Sequence, residues 1–263
     1  MTPVTALVLA GSRGAKDPIA TMAEFSHKAL VPVFGTAMLQ RVVDTLLESG
    51  LVGRILIAIE AADLVREIPR LAALMDEGRV AVLPAAASPA RSVLAGLQAA
   101  GTPLLVTTAD HALLTAEMVQ HFWNHLPAGC DAAAGLARAQ TILAAYPDTQ
   151  RTWLRFAGLK ASGCNLFAFR SAAATGVVEF WQQVEAERKK PHRMVGLLGP
   201  ILLVRYVLGL LSLDAALAAL GRRAGARLGW VDMPQAEAAI DIDKPSDLKL
   251  ATKILARRRF AGG

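Results

Sequence analysis

Thr5-Ala6-Leu7-Val8-Leu9-Ala10-Gly11-Ser12-Arg13-Gly14 is an unbroken apolar run that stops at a glycine-bearing turn. A strand with one wet face alternates polar and apolar residues, whereas this run is apolar on both faces. That pattern belongs to the interior of a parallel sheet covered on both sides. Gly11 and Gly14 let the backbone turn tightly and bring its N–H groups close to an anion. The apolar run is only about seven residues long and has no basic lead, so it reads as a first strand and not as a signal peptide.

Outward from this run, strands and helices alternate. Residues 38–47 have helical periodicity, 54–59 (RILIAI) read as a second strand, and 64–75 as a helical stretch. Residues 80–83 make a third strand. Residues 88–99 form a helix with Ser88 as N-cap and Pro89 at its first position. Residues 104–107 are a fourth strand, ending at Thr108-Ala109-Asp110. Such alternation predicts an α/β fold: a single doubly wound, mostly parallel sheet with helices on both faces. Ligands of such sheets bind beyond the carboxyl ends of strands, where Gly11 and Asp110 would meet.

The second half is less regular. Residues 131–145 and 151–169 read as strand and loop, and 177–187 as a helix. The most apolar stretch, 194–220, is interrupted by Pro200 and Arg205, and a new helix starts near Ser212. It lacks the roughly 18 uncharged apolar residues of a membrane span. With no repeat and no low-complexity linker, 1–263 reads as one domain carrying an apolar helical insertion at about 194–220.

At 263 residues, 54% hydrophobic and 19% charged, the sequence has the composition of a folded protein with a sizeable core. Cys130 and Cys164 form no CxxC pair and no disulfide framework, which fits a reducing cytoplasm. The net charge of +6 attracts nucleic acid, anionic lipid or phosphorylated small molecules. Aromatic residues make up only 5% and interleave with no basic stripe, so a nucleic-acid platform is disfavoured. Part of the excess is the run Arg257-Arg258-Arg259, which suits a solvated helix end.

Three segments carry chemistry. In the first, Gly11 and Gly14 shape a phosphate-sized turn, Arg13 suits bidentate binding of phosphate oxygens, and Lys28 adds a point charge. It is neither a GxGxxG fingerprint nor a P-loop, and an ordinary strand-to-helix turn with surface cations would look similar. In the second, Asp110 ends an apolar strand where a metal-bound phosphate would lie, or caps the next turn. In the third, Asp241 and Asp243 share a face if Ala239–Leu248 is extended, while Ser246 and Asp247 suit a helix start. The alternative there is one capping residue and two solvated carboxylates.

In this order the segments resemble the nucleotidyltransferase superfamily of sugar-nucleotide and cofactor synthesis. The resemblance is greatest to its molybdenum-cofactor guanylyltransferase-like branch and runs from residue 5 to about residue 252. It implies a Rossmann-like sheet of the nucleotide-diphospho-sugar transferase type. It also implies Mg²⁺-dependent coupling of an NTP, CTP or GTP, to a phosphorylated small-molecule acceptor with release of pyrophosphate.

By the same resemblance Leu9, Ala10, Gly11, Ser12 and Gly14 bind the nucleotide, with Ser88, Ser92 and Gly96 near the base. Arg13, Lys28 and Asp110 are catalytic, Asp110 and Asp243 hold Mg²⁺, and Gly163 and Asn165 lie at the acceptor. The sequence differs from the pattern at Ser12, which replaces a glycine, at the insertion 17–26, and at Lys244 and Ser246. His27 and His111 flank the site, each as a hydrogen-bonded neighbour or a catalyst.

Two other activities fit parts of the pattern. A nucleotide-sugar-dependent glycosyltransferase of this fold needs a D-x-D motif near the middle of its sequence, and the only one here, Asp241–Asp243, comes late. A non-catalytic nucleotide-binding regulator would lose a metal aspartate. The apolar 194–220 segment reads as a core helix pair, a homodimer face or a peripheral membrane contact.

Overall fold

The computed structural model describes residues 3–12, 17–187 and 199–261. Arg13 and Gly14 of the first loop, and Met194 at the start of the apolar stretch, lie outside them. The opening run is strand β1 (Val4–Leu9), followed by the short helix α1 (Pro18–Met22). A 3₁₀ turn at Lys28–Leu30 leads into a small hairpin of β2 (Pro32–Val33) and β3 (Thr36–Ala37). Then come α2 (Met38–Glu48), β4 (Val52–Ile59), α3 (Ala62–Arg66), α4 (Pro69–Asp76) and β5 (Val80–Pro84). The helix expected over 64–75 is two helices. Pro69 removes a backbone donor and holds Ile68 extended, so the helix stops and restarts.

Helix α5 (Pro89–Ala100) begins as expected, with the Ser88 hydroxyl accepting the Arg91 N–H. It leads to β6 (Leu104–Thr108), α6 (Ala116–Asn124) and β7 (Ala132–Arg138). After β7 the segment expected as loop is a helix, α7 (Ala139–Ala145). The hairpin of β8 (Leu154–Phe156) and β9 (Leu159–Phe169) precedes α8 (Ala174–Glu187). The remainder is α9 (Pro200–Val207), α10 (Leu213–Ala224), β10 (Leu228–Asp232) and α11 (Pro245–Ala261). Pro200 starts α9 instead of interrupting it, and Ser212 caps α10.

The main sheet runs β5–β4–β1–β6–β9–β7–β10, with β8 added against β9. Its pairs are parallel except those of β9, which runs antiparallel to β6, β7 and β8. The backbone winds from β1 to β4 and β5 on one side, then returns to place β6 on the other. The order therefore reverses between β1 and β6, where such sheets open a crevice.

Alternate residues of the same strands feed opposite faces. Ala6, Val8, Ile55 and Ile57 join α2, α4 and α6 on one face, while Leu7, Leu56, Leu104 and Val106 join α5 and α8 on the other. This double burial explains why the strands are continuously apolar. A third apolar cluster lies at the carboxyl edge of the sheet. There Ile19 of α1 and Ile254 of α11 pack with Val31, Leu113, Ile240 and Ile242.

Gly96, expected near a nucleotide base, has a packing role. A Cβ there would stand 2.6 Å from Cδ2 of fully buried Leu7, so α5 reaches β1 only because residue 96 has no side chain. Gly96→Val should therefore destabilise the protein by about 1–3 kcal/mol through overpacking. Urea unfolding would show this as a lower midpoint with an unchanged slope.

Candidate active site

Two parallel strands deliver the first half of the site. β1 and β6 pair in register up to Leu9 and Thr108, and Ala109 N–H donates to the Leu9 carbonyl at 2.9 Å. Gly11 and Asp110 thus leave adjacent strand ends at the point where strand order reverses. Gly11 is tightly bounded: a Cβ there would meet Ala85 Cβ at 3.3 Å, so the loop after β5 packs beside the glycine turn. The Thr108 hydroxyl donates to Asp110 Oδ1 at 2.6 Å and leaves Oδ2 for other partners.

The other half comes from distant parts of the sequence. Lys28 Nζ donates to Asp110 Oδ2 at 2.8 Å and to Asp243 Oδ1 at 2.9 Å. The Lys28 side chain is 16% exposed and Asp110 20%, while Asp243 is open at 58%. Burial pulls the Lys28 pKa down, but the charges and hydrogen bonds of Asp110 and Asp243 outweigh it. The net direction is up, so the amine stays cationic. Ile242 N–H donates to the Asp110 carbonyl at 3.1 Å, which fixes the late aspartate segment against β6.

Asp241 and Asp243 do not act together. Asp241 Oδ1 accepts Arg151 Nη1 at 2.6 Å, and Arg151 Nη2 pairs with Asp247. The other Asp247 oxygen accepts the N–H groups of Asp243 and Lys244, at 3.2 and 2.9 Å, so it caps the entry to α11. Ser246 lies in the first turn of α11, exposed. Asn165, with a left-handed φ of +48°, points its amide at Asp241 at 3.4 Å. Gly163 lies nearby on β9 and borders open space.

Arg151 is the residue that sequence reasoning missed. The signal was present: three aspartates within seven residues next to buried isoleucines need a buried cation. Among the described residues Asp110, Asp241, Asp243 and Asp247 pair with Lys28 and Arg151, so carboxylates outnumber cations. Consistent with this, burial and the charges of Asp243 and Asp110 push the Asp241 carboxyl above the ordinary carboxylate range.

Glu60, just beyond β4, was also missed. Its carboxylate accepts Ser12 N–H at 2.5 Å through Oε1 and meets His27 Nε2 at 3.1 Å through Oε2. His27 Nδ1 accepts the Ala29 N–H at 3.1 Å, so the ring proton sits on Nε2 and donates to Glu60. His27 is thereby the cap of the 3₁₀ turn that presents Lys28. The loop N–H expected to meet a phosphate thus already binds a carboxylate. Ser88 caps α5, and the buried Ser92 hydroxyl accepts Ala86 N–H at 2.9 Å, so both shape the loop beside Gly11.

His111 is buried beneath Asp110, 3.4 Å from the Thr107 hydroxyl through Nδ1. Burial, against the opposing pull of the Asp110 charge, pushes its pKa down to about 4. It is a neutral core histidine near neutral pH.

A glycine turn and a carboxylate–ammonium–carboxylate bridge thus meet at the switch point of a mostly parallel α/β sheet. The MobA-like NTP transferase domain model matches residues 6–186, from β1 into α8. The chain belongs to this family and is an NTP transferase by class. No curated protein matches its sequence.

Among solved structures, a hypothetical transferase from Thermus thermophilus is similar at 25% identity and a TM-score of 0.78. That likeness covers 94% of this chain and all of the other. A 4-diphosphocytidyl-2C-methyl-D-erythritol synthase from Anaerococcus prevotii shares the fold at 12% identity and a TM-score of 0.57, over 97% of this chain and 98% of its own. Asp243 lies beyond the family-matched stretch.

Removing Arg151 leaves Asp241 and Asp247 as poorly compensated carboxylates. Arg151→Ala should cost on the order of 3 kcal/mol in urea unfolding. For His111 the folded pKa of about 4 lies below the ordinary 6.5, so the unfolded state binds the extra proton. Stability is then full above about pH 6.5 and falls as pH drops toward about 4, by about 2 kcal/mol at about pH 5. Melting curves across this range with EDTA present should lose that component of the slope in His111→Gln.

Proposed function

We propose that the protein is an Mg²⁺-dependent nucleotidyltransferase that joins the nucleoside monophosphate part of CTP or GTP to a phosphorylated small molecule. The observation that carries this reading is the Lys28 ammonium held between Asp110 and Asp243 beside the glycine turn. These residues fit the metal. Mg²⁺ takes one or two carboxylates and completes its shell with water and substrate phosphates. Here two hard carboxylate oxygens already converge on one cation.

Asp110 and Asp243 would hold the ion, which when bound supplies neutralisation of phosphate charge and geometric alignment of the reacting groups. The rest falls to the protein's own groups. Loop N–H groups from Gly11 and Ser12 bind the triphosphate, with Glu60 giving way at Ser12. Lys28, kept cationic by its surroundings, turns its charge to phosphate oxygens once the carboxylates are otherwise engaged. Arg13 adds a bidentate contact from the same loop.

An acceptor phosphate oxygen attacks the α-phosphorus in line. The bond to the β-phosphate oxygen breaks, and pyrophosphate leaves with that electron pair. A phosphate monoester is already largely dianionic at neutral pH, because its second pKa is about 6, so no general base is required. This accords with the two nearby histidines, one a cap and one buried and neutral. Catalysis rests on positioning and charge, as in other phosphoryl transfers.

The test is pyrophosphate release with Mg²⁺ and each of CTP, GTP, UTP and ATP over a panel of sugar, alditol and cofactor-precursor phosphates. Release should depend on the acceptor and favour one nucleotide. Asp110→Ala and Asp243→Ala should abolish it, and Lys28→Ala should lower turnover by about 10²–10³-fold. Absence of release with every pairing, together with no metal-dependent nucleotide binding by titration, would overturn the proposal.

A further inference from the structure

Between the turn after α7 and one flank of α11 lies a cavity of about 440 Å³, the size of a small-molecule site. From α11 it is lined by Ser246, Leu250, Lys253, Ile254 and Arg257. Their spacing of three and four residues puts them on one stripe of the helix. The stripe is polar at its start, apolar in the middle and cationic at its end. Opposite it, Ala145, Tyr146 and Pro147 supply an apolar wall. The Tyr146 hydroxyl is already engaged, donating to Glu237 Oε1 at 2.5 Å, so the ring adds no free polar tip.

Charge sets the class of ligand. Lys244, Lys253 and Arg257 line the cavity, and among the described residues no carboxylate pairs with any of them. Two carboxylates line it as well, but Asp247 is held by Arg151 and Asp148 is exposed. The cavity is therefore positive over an apolar floor. A neutral sugar would make no use of the cations, and inorganic phosphate would leave the apolar floor wet. An organic anion, with an apolar body and a phosphate or carboxylate on it, satisfies both.

Position sets its role. Lys244 follows Asp243 directly, and Asp247 caps the same segment, so the cavity begins next to the late aspartates. Gly11, Glu60 and the loop after β5 do not line it. In the reaction proposed above the nucleotide occupies their side, and the acceptor approaches from the other. We infer that this cavity receives the far end of the acceptor, which carries a second anionic group besides the phosphate that reacts. Lys253 and Arg257 bind that group, and Tyr146, Leu250 and Ile254 pack on the body between. The role as acceptor site rests on the proposed nucleotidyl transfer; the ligand class rests on the cavity alone.

The test has two arms. In the first, phenyl phosphate, a phosphate on a small apolar body, is titrated calorimetrically into the full-length protein with EDTA and without nucleotide. It should bind about tenfold more tightly than inorganic phosphate or phenol. The Lys253→Ala/Arg257→Ala double variant alters exposed side chains only. It should keep the wild-type melting temperature and bind phenyl phosphate about tenfold more weakly. In the second arm, pyrophosphate release, the same variant should raise the acceptor KM by about tenfold and leave kcat and the nucleotide KM unchanged. No binding of phenyl phosphate would overturn the inference, as would equal binding by the double variant or an unchanged acceptor KM. Binding lost in Lys28→Ala but kept in the double variant would also overturn it, by placing the phosphate at the bridge. If the first arm succeeds and the wild type releases no pyrophosphate with any acceptor, the proposed reaction fails. The acceptor role fails with it, and the ligand class of the cavity stands.

Discussion

The Lys28 ammonium between Asp110 and Asp243 ties together, by charge, three parts of the sequence that lie far apart in the chain. Lys28 follows the first strand closely, Asp110 ends the fourth of the regular alternation, and Asp243 lies 215 residues beyond Lys28. Two carboxylates this close repel each other unless a cation lies between them, and burial strengthens both the repulsion and its relief. With the ammonium in place, the carboxyl edge of the sheet is an assembled charged site. In the proposed reaction Asp110 and Asp243 would hold the metal, and Lys28 would then be available to phosphate oxygens. The bridge then serves as a placeholder for the substrate-bound state.

Holding that bridge requires a rigid frame, and the fold supplies it in two ways. β1 and β6 are buried on both faces and paired in register to their ends, so Gly11 and Asp110 have little freedom. The late aspartates have no strand of their own. They are held by Ile242 on the Asp110 carbonyl, by Asp247 capping α11, and by Arg151 clamping Asp241 and Asp247. The isoleucines flanking Asp241 enter the cluster that also contains Ile19, so the segment 17–26 is a helical brace and not a slack insertion.

What is legible in the sequence follows the range of the interactions. β1, β4, β5, β6 and the start of α5 depend on local apolar runs, on Ser88 and on Pro89, and all are readable. The sheet type follows from the alternation, Lys28 and Asp110 are flagged by residue type and position, and Asp243 is singled out from Asp241 through the family resemblance. The misses have longer-range or subtler causes. The helix over 64–75 splits at Pro69, and α7 is short and follows a strand without a capping side chain. β10 has a half-buried pattern without clear alternation and is fixed by pairing with β7. Arg151 and Glu60 each look like surface charges until the partners 90 and 48 residues away are in place. At Gly96 the structure adds a packing requirement, the close approach of α5 to Leu7, that the sequence does not display.

The distribution of charge gives the molecule a further asymmetry. The protein as a whole is positive by six, yet at the site the described carboxylates outnumber the described cations. A metal–triphosphate complex carries both signs. Its net negative charge is drawn by the field of the whole protein, and its cation is drawn by the carboxylates at the sheet edge. A free phosphate without a cation meets Glu60 and four aspartates on arrival and is disfavoured. In the proposed reaction these carboxylates would therefore favour a metal-loaded nucleotide over a bare one.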